Sequence, residues 1–264
     1  MESMTQVEAG VTGSVMFYKN PEPLNKEAHA NLGMTAIDAP FAFTAEAHIL
    51  PLTVPEFPIA ALTYPIIFIG DAKMPAAVAG IRQGQNLLVG ADGSYEPGAY
   101  IPAFVRRYPF VLAHNPGDEQ MVVCIDRGAA AISETPQAPF FENGEPTEFT
   151  KNAVAFCNEF EQQRVISDQF LAMAKELDLF ETRQTAYTPR DRMGNPIGEP
   201  QLIAEYFAIS ETKLNALPEA KFMELRGNGA LSVIYAHMMS LNGWDKLVGR
   251  ATARANQDAA AGNA

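Results

Sequence analysis

The sequence predicts an α+β fold: a mainly antiparallel sheet built on a duplicated helix–hairpin unit, with a C-terminal helical portion packed on it. Three observations point there. Nineteen prolines in 264 residues divide the chain into many short elements, which favours mixed or β-rich architecture over a helix bundle. A pattern of short helix and two apolar strands recurs between residues 57 and 125. After Pro146 the apolar residues change to helical spacing. The plan that follows is an extended arm over 1–40, a β-rich duplicated region over 41–145, a mainly helical region over 146–250 and a frayed tail over 251–264. A chain of this length buries a sizeable core as one compact domain.

Taken in order, FYKNPEPLN marks a turn through Asn20-Pro21 and Pro23. Loose alternation from Ala42 to Leu52 predicts a strand ending at Pro51. Residues 57–81 align without a gap on 101–125, placing Pro58 on Pro102, Tyr64 on Tyr108, Pro65 on Pro109, Val78 on Val122 and Ile81 on Ile125. Each copy reads as a helical turn, a Tyr-Pro, an apolar strand (IIFIG, FVLAH), a polar turn (DAKMP, NPGDE) and a second apolar strand, and the two hairpins are expected side by side in one sheet. Between them Asp92-Gly93 announces a turn.

Thr147 caps a long helix carrying Phe149, Ala153, Phe156, Phe160, Phe170, Ala174 and Leu177, which runs to about Leu179. Gln163 and Ser167 interrupt its apolar stripe, as at a kink or a change of partners. Residues 181–200 are polar and punctuated, a loop or exposed hairpin and the best internal boundary. QLIAEYFAI is a strand, Ser210 caps a short helix to Leu217, and Pro218 opens another to Arg226 that Gly227-Asn228-Gly229 stops. The last helix, Ala230–Leu241, is apolar nearly all round and is expected to be buried.

The formal charge of −12 argues against nucleic acid or an anionic membrane face as a general partner. No apolar stretch reaches the length of a membrane span. The N-terminus lacks a basic segment followed by an apolar one, so no cleavable signal is expected. Cys124 and Cys157 lie in apolar runs and read as buried free thiols, consistent with a cytoplasmic protein.

Chemistry-bearing motifs are sparse. His29, His48, His114 and His237 lack metal-ligand spacings, and no hydrolase elbow, dinucleotide fingerprint, P-loop or zincin motif occurs. No metal and no cofactor is expected. His237, in an apolar helix, reads as a neutral imidazole paired with a backbone carbonyl, or alternatively as an acid/base residue. Asp126 and Glu56 are surface carboxylates or, alternatively, an acid/base pair. Arg106 and Arg107 precede the second Tyr-Pro where the first copy has Leu62-Thr63; adjacent guanidiniums form an anion site or anchor internal carboxylates. Tyr64, Arg106, Arg107 and Tyr108 are therefore the candidate ligand-binding residues, at a seam between the two copies.

Several segments taken together resemble the bacterial SapC family: FYKNPEPLN at 17–25, PLTVPEFPIAALTYPIIF at 51–68, ADGSYEPGAYIPAFVRRYPF at 91–110, FENGEPTEF at 141–149 and GALSVIYAHMMSL at 229–241. The resemblance runs from about Met16 to Leu247. It implies no catalytic residue set, and Tyr95 stands where the family pattern leads one to expect tryptophan. Members of that family are often encoded beside outer-membrane uptake receptors and flavin-dependent halogenases, so the resemblance implies a tie to nutrient uptake or metabolite handling, which is association rather than mechanism. A permease label sometimes attached to the name conflicts with the absence of spans. The expected function is a soluble binding or accessory protein for a small ligand or protein partner. Two alternatives stand beside it: an enzyme whose site combines dispersed residues such as Arg107, Asp126 and His237, and a surface-layer accessory protein.

Overall fold

A computed structural model describes residues 15–114, 121–188, 196 and 198–261. The NPGDE turn, most of the loop at 189–197 and the first fourteen residues of the arm lie outside the described residues. Along the chain come β1 (Pro21–Pro23), β2 (Gly33–Met34), β3 (Ile49–Pro51), α1 (Phe57–Ala60), β4 (Ile66–Ile69), β5 (Met74–Val78), α2 (Ala103–Arg106), β6 (Phe110–His114) and β7 (Met121–Asp126). There follow the two-residue strands β8 (Ile132–Ser133), β9 (Ala138–Pro139), β10 (Phe141–Glu142) and β11 (Glu145–Pro146), then α3 (Glu148–Glu176), β12 (Phe180–Tyr187), β13 (Gln201–Ile209), α4 (Glu211–Asn215), α5 (Glu219–Gly227), α6 (Ala230–Ser240) and α7 (Trp244–Ala261). The class is α+β, and every strand pairing among the described residues is antiparallel.

The chain forms two compact units that interleave in sequence. The first comprises residues 1–44, 91–94 and 103–162, and the second 45–90, 95–102 and 163–264. In the first, β1, β7 and β6 form one sheet and β8, β2 and β9 another. The arm thus supplies strands to both sheets. Gly33 sits at the centre of the second, where a methyl group would collide with the Ala138 carbonyl, so only glycine lets the three strands close up. Phe110, Ile125, Phe140, Leu32 and Cys157 form one core cluster of this unit, with Phe110 edge-on to Phe140 at 5.5 Å.

The second unit carries a five-stranded sheet in the order β12-β13-β4-β5-β3. Its largest wholly buried side chains include Phe57, Phe68, Leu50, Ile66, Leu179 and Ile209. Each contributes about 1.5–3 kcal/mol by leaving water. Of the segment expected as a loop or exposed hairpin, the residues up to Tyr187 belong to β12, which pairs antiparallel with β13 with one irregularity between Thr185 and Ala186.

Both Tyr-Pro segments have the same element order, short helix then antiparallel hairpin. Two expectations about them need correction. The hairpins lie in different sheets rather than side by side. The gapless alignment also fails in the second strand: shifting the Ile66–Ala77 pair by 44 would set Phe110 opposite Met121, yet Phe110 pairs with Ile125, four residues later. The physical reason is a longer connection between β6 and β7 than between β4 and β5.

Further differences concern helices. Helix α3 is continuous through Gln163 and Ser167, and these polar residues have fixed partners: Gln163 Oε1 lies 3.0 Å from Thr53 Oγ1, and the Val54 N–H donates to Ser167 Oγ at 2.8 Å. Helix α6 is buried along one face only, through Ala230, Ile234, His237 and Ser240, while Met239 is 71% exposed. The tail after Thr252 continues as helix α7 to Ala261. Arg250 anchors that helix through a bidentate pair to Glu96 at 2.8 Å, and Arg254 donates to the Val89 carbonyl. No helix among the described residues is long and apolar enough to cross a membrane.

Candidate functional site

The first unit holds a cavity of about 620 Å³. Helix α2 and the Tyr-Pro that follows it supply Val105, Arg106, Tyr108 and Pro109; residues 34–43 supply Met34, Ile37, Phe41 and Phe43; Gly128, Ala130 and Ala131 leave the open space; and Lys19 completes the wall. Tyr108 is stacked on Phe43 at 4.2 Å and makes an edge-to-face contact with Tyr18 at 5.2 Å. The residues 39–43 are held in turn by the Asp92-Gly93 turn. Gly93 has φ +72° and packs against Ala39 where a Cβ would stand 2.6 Å away, and its carbonyl accepts the Phe41 N–H.

Asp126, at the end of β7, organises this wall from behind. It is fully buried. Oδ1 accepts the Asn20 and Gly128 N–H groups at 2.8 and 3.0 Å, while Oδ2 accepts the Lys19 N–H and the Tyr108 hydroxyl, both at 3.0 Å. Three of its four donors therefore belong to residues that line the cavity: Lys19, Gly128 and Tyr108. Burial, and then the Asp126 charge, push the Tyr108 phenol well above its ordinary pKa, so the ring stays neutral and the hydroxyl remains a donor.

The four expected ligand-binding residues are not brought together. Arg106 and Tyr108 both line the cavity. Arg106 is exposed, its guanidinium 5.0 Å above the Phe156 ring. Arg107 does not line the cavity; it is 7% exposed, held between Phe104 and Phe160 at 4.5 and 4.4 Å, with Nη1 3.9 Å from Glu161. Its position is that of an internal anchor. Tyr64 belongs to the second unit, is wholly buried, and donates its hydroxyl to the Tyr100 carbonyl at 2.6 Å.

The acid/base candidates also have structural partners. Glu56 and Asp126 belong to different units and neither is a surface carboxylate, at 4% and 0% exposed. Glu56 closes a capping box on Thr53, accepting its N–H and hydroxyl at 2.8 Å, and also accepts the Tyr100 hydroxyl at 2.9 Å. The T-x-x-E spacing of Thr53 and Glu56 is the signal that reveals this role in sequence. His237 is buried against Phe57 and Phe68, and its Nε2 accepts the Ile209 N–H at 3.1 Å. Burial, helped by Arg183, lowers its pKa to about 3 and leaves the imidazole neutral.

Both cysteines are buried free thiols, with pKa pushed up to about 11 mainly by burial. Among the described residues no three His, Cys, Asp or Glu side chains are grouped to hold a metal ion. The lining residues that sequence reasoning missed include Lys19, Phe41, Phe43, Gly128, Ala130 and Ala131. A run of small residues after β7 is their one visible signal, because the contacts that place Lys19 beside it span more than a hundred residues of chain.

The SapC family model matches residues 24–247. The chain belongs to the SapC family. Comparison with the curated proteins and with solved structures gives no match. The Tyr-Pro, Asp126 and most of the cavity wall of this SapC-family chain fall inside the matched region, and Lys19 falls just before it.

Proposed function

We propose that this SapC-family protein binds a small molecule in the cavity of its first unit and acts as a binding or accessory protein. The observation that carries the reading is the cavity itself: about 620 Å³, walled by apolar and aromatic side chains with a few fixed polar groups, which is the usual make-up of a small-molecule site. Its lining favours binding over catalysis, since among the described lining residues there is no His, Cys, Asp, Glu or Lys–carboxylate pair to act as nucleophile and base. A larger depression of about 690 Å³ along α3, lined by Lys26, Met121, Val154 and Asn158 among others, is more open to solvent and has no aromatic platform comparable to Phe43–Tyr108. The unpaired thiols suit a cytoplasmic setting. The family resemblance gives the reading its context, nutrient uptake or metabolite handling.

Native mass spectrometry of the purified protein tests the proposal, with Ala130→Trp as the cavity-blocking variant, since Ala130 is an exposed lining residue. The expected result is a bound mass of a few hundred daltons that the variant loses while its melting temperature is unchanged. A ligand that the variant retains would overturn the assignment to this cavity. Chemical conversion of the ligand would favour the enzyme alternative, and ordered self-assembly the surface-layer one.

A further inference from the structure

We infer that the ligand is an uncharged, mainly apolar molecule whose few polar groups are of the hydroxyl or carbonyl kind. The inference rests on the binding reading above and names the class of molecule that the cavity fits. The body is read from the wall. Among the described lining residues only Lys19, Thr35, Arg106 and Tyr108 carry a polar side-chain group; the others are apolar, aromatic or glycine. Tyr108 stacks on Phe43 at 4.2 Å, and Ile37, Phe41 and Val105 add further apolar surface. A strongly polar ligand would leave its hydrogen-bonding groups unpaired against such a wall, whereas an apolar body gains by leaving water there.

The lack of charge is read from where the nearby ions are engaged. The Arg106 guanidinium stands 5.0 Å above the Phe156 ring of α3. Arg107 lies between Phe104 and Phe160, and Asp38 and Arg127 are exposed; none of the three is in the lining. Asp126 is buried, and its two oxygens accept four N–H or O–H groups, which fills the lone-pair sites of a carboxylate and leaves no acceptor for a cationic ligand. Lys19 is exposed and its stem lies against Gly128, an arrangement that keeps the ammonium in water. Its backbone N–H binds Asp126, so the lysine of this wall stands beside a residue of opposite charge. An anionic group would exchange its hydration for an exposed, salt-screened lysine, and a cationic group would meet that lysine and a saturated carboxylate. Either ion loses more by desolvation than it gains. The neutral polar groups on the lining are the Thr35 hydroxyl and the Tyr108 oxygen, which gives its proton to Asp126 and keeps lone pairs. They match a hydroxyl or carbonyl of the ligand.

Fluorescence titration of the full chain with N-phenyl-1-naphthylamine, a neutral dye, reads occupation of the cavity. Three naphthalenes that differ in a single group then compete with the dye: 1-naphthylmethanol, 1-naphthoate and 1-naphthylmethylammonium. Both ionic signs are needed, because a chain of formal charge −12 attracts any cation and repels any anion at long range. The expected result is one dye site that Ala130→Trp abolishes, and displacement by the alcohol at a concentration roughly tenfold below that needed for either ion. An ion that displaces the dye within about threefold of the alcohol, or an alcohol that fails to displace it, overturns the inference and leaves the cavity reading standing. A chain that does not bind the dye, or an Ala130→Trp variant that retains it, overturns the cavity reading and the inference with it. Circular dichroism and the melting temperature of the variant confirm that an intact fold is being compared.

Discussion

The two Tyr-Pro segments share a local design but differ in what surrounds it. After α1, Tyr64 is a wholly buried plug whose hydroxyl donates to a backbone carbonyl, and the strands that follow lie in a five-stranded sheet. After α2, Tyr108 is half-buried, stacked on Phe43 and bonded to a buried carboxylate, and it forms one wall of a cavity. The same dipeptide in the same element order serves as core in one unit and as part of a cavity wall in the other. Local sequence sets the element order; the use of the ring depends on whether neighbours fill or leave the space beside it.

The contrast breaks most directly at the tyrosines. Tyr64→Ala is expected to cost about 3–5 kcal/mol, the usual range for truncating a buried aromatic, and Tyr108→Ala about half of that because one side of the ring already faces open space. Urea unfolding of both variants measures the difference. Equal losses would mean that Tyr108 is a core residue too and that the cavity is not a preformed space.

Asp126 sharpens the comparison from the second segment. Asp126→Ala leaves four donors without an acceptor in a buried position, and about 2–4 kcal/mol of destabilisation is expected. Tyr108→Phe removes one of those donors and should cost about 1 kcal/mol. In the double variant Asp126→Ala, Tyr108→Phe the two losses should fall short of their sum, because the single variants remove a shared bond. Additive losses in urea unfolding would show that the Tyr108 hydroxyl and Asp126 are not coupled.

The smallest effect belongs to His237, which packs on Phe57 and Phe68 of the first segment. Its folded pKa of about 3 lies below the ordinary value of 6.5, so above pH 6.5 both folded and unfolded forms are neutral and its contribution is fully present. As pH falls from 6.5 towards 3 the unfolded chain takes up the proton and the folded chain does not, and stability declines by at most about 1.4 kcal/mol per pH unit from this group. Stability measured against pH for the protein and for His237→Phe should diverge in that window and run parallel above it. Parallel curves throughout would mean that the imidazole is not held neutral in the fold.

Much of this was legible in the sequence. The Ser210 and Pro218 helix starts, the Asp92-Gly93 turn and the long helix after Thr147 all follow from local chemistry, and they stand where that chemistry puts them. Arg106 and Tyr108 were singled out by type and position and do line the cavity. Arg107 and Asp126 show the limit of the method. An arginine between two rings and a carboxylate under four donors are indistinguishable in sequence from surface ions, because what separates them is which distant residues arrive beside them.

By itself, then, the sequence determined the α+β class, the element order around each Tyr-Pro and the family, since these rest on interactions between near neighbours and on motifs spelled out along the chain. The tertiary structure alone decided that the two hairpins enter separate sheets, that α6 buries one face of an all-round apolar helix, and that Lys19, Phe43, Tyr108 and Gly128 surround one space. Those outcomes depend on contacts across many tens of residues, Asp126 to Asn20 among them, and on space left unfilled. A cavity is set by the side chains that do not meet, and a linear pattern does not record them.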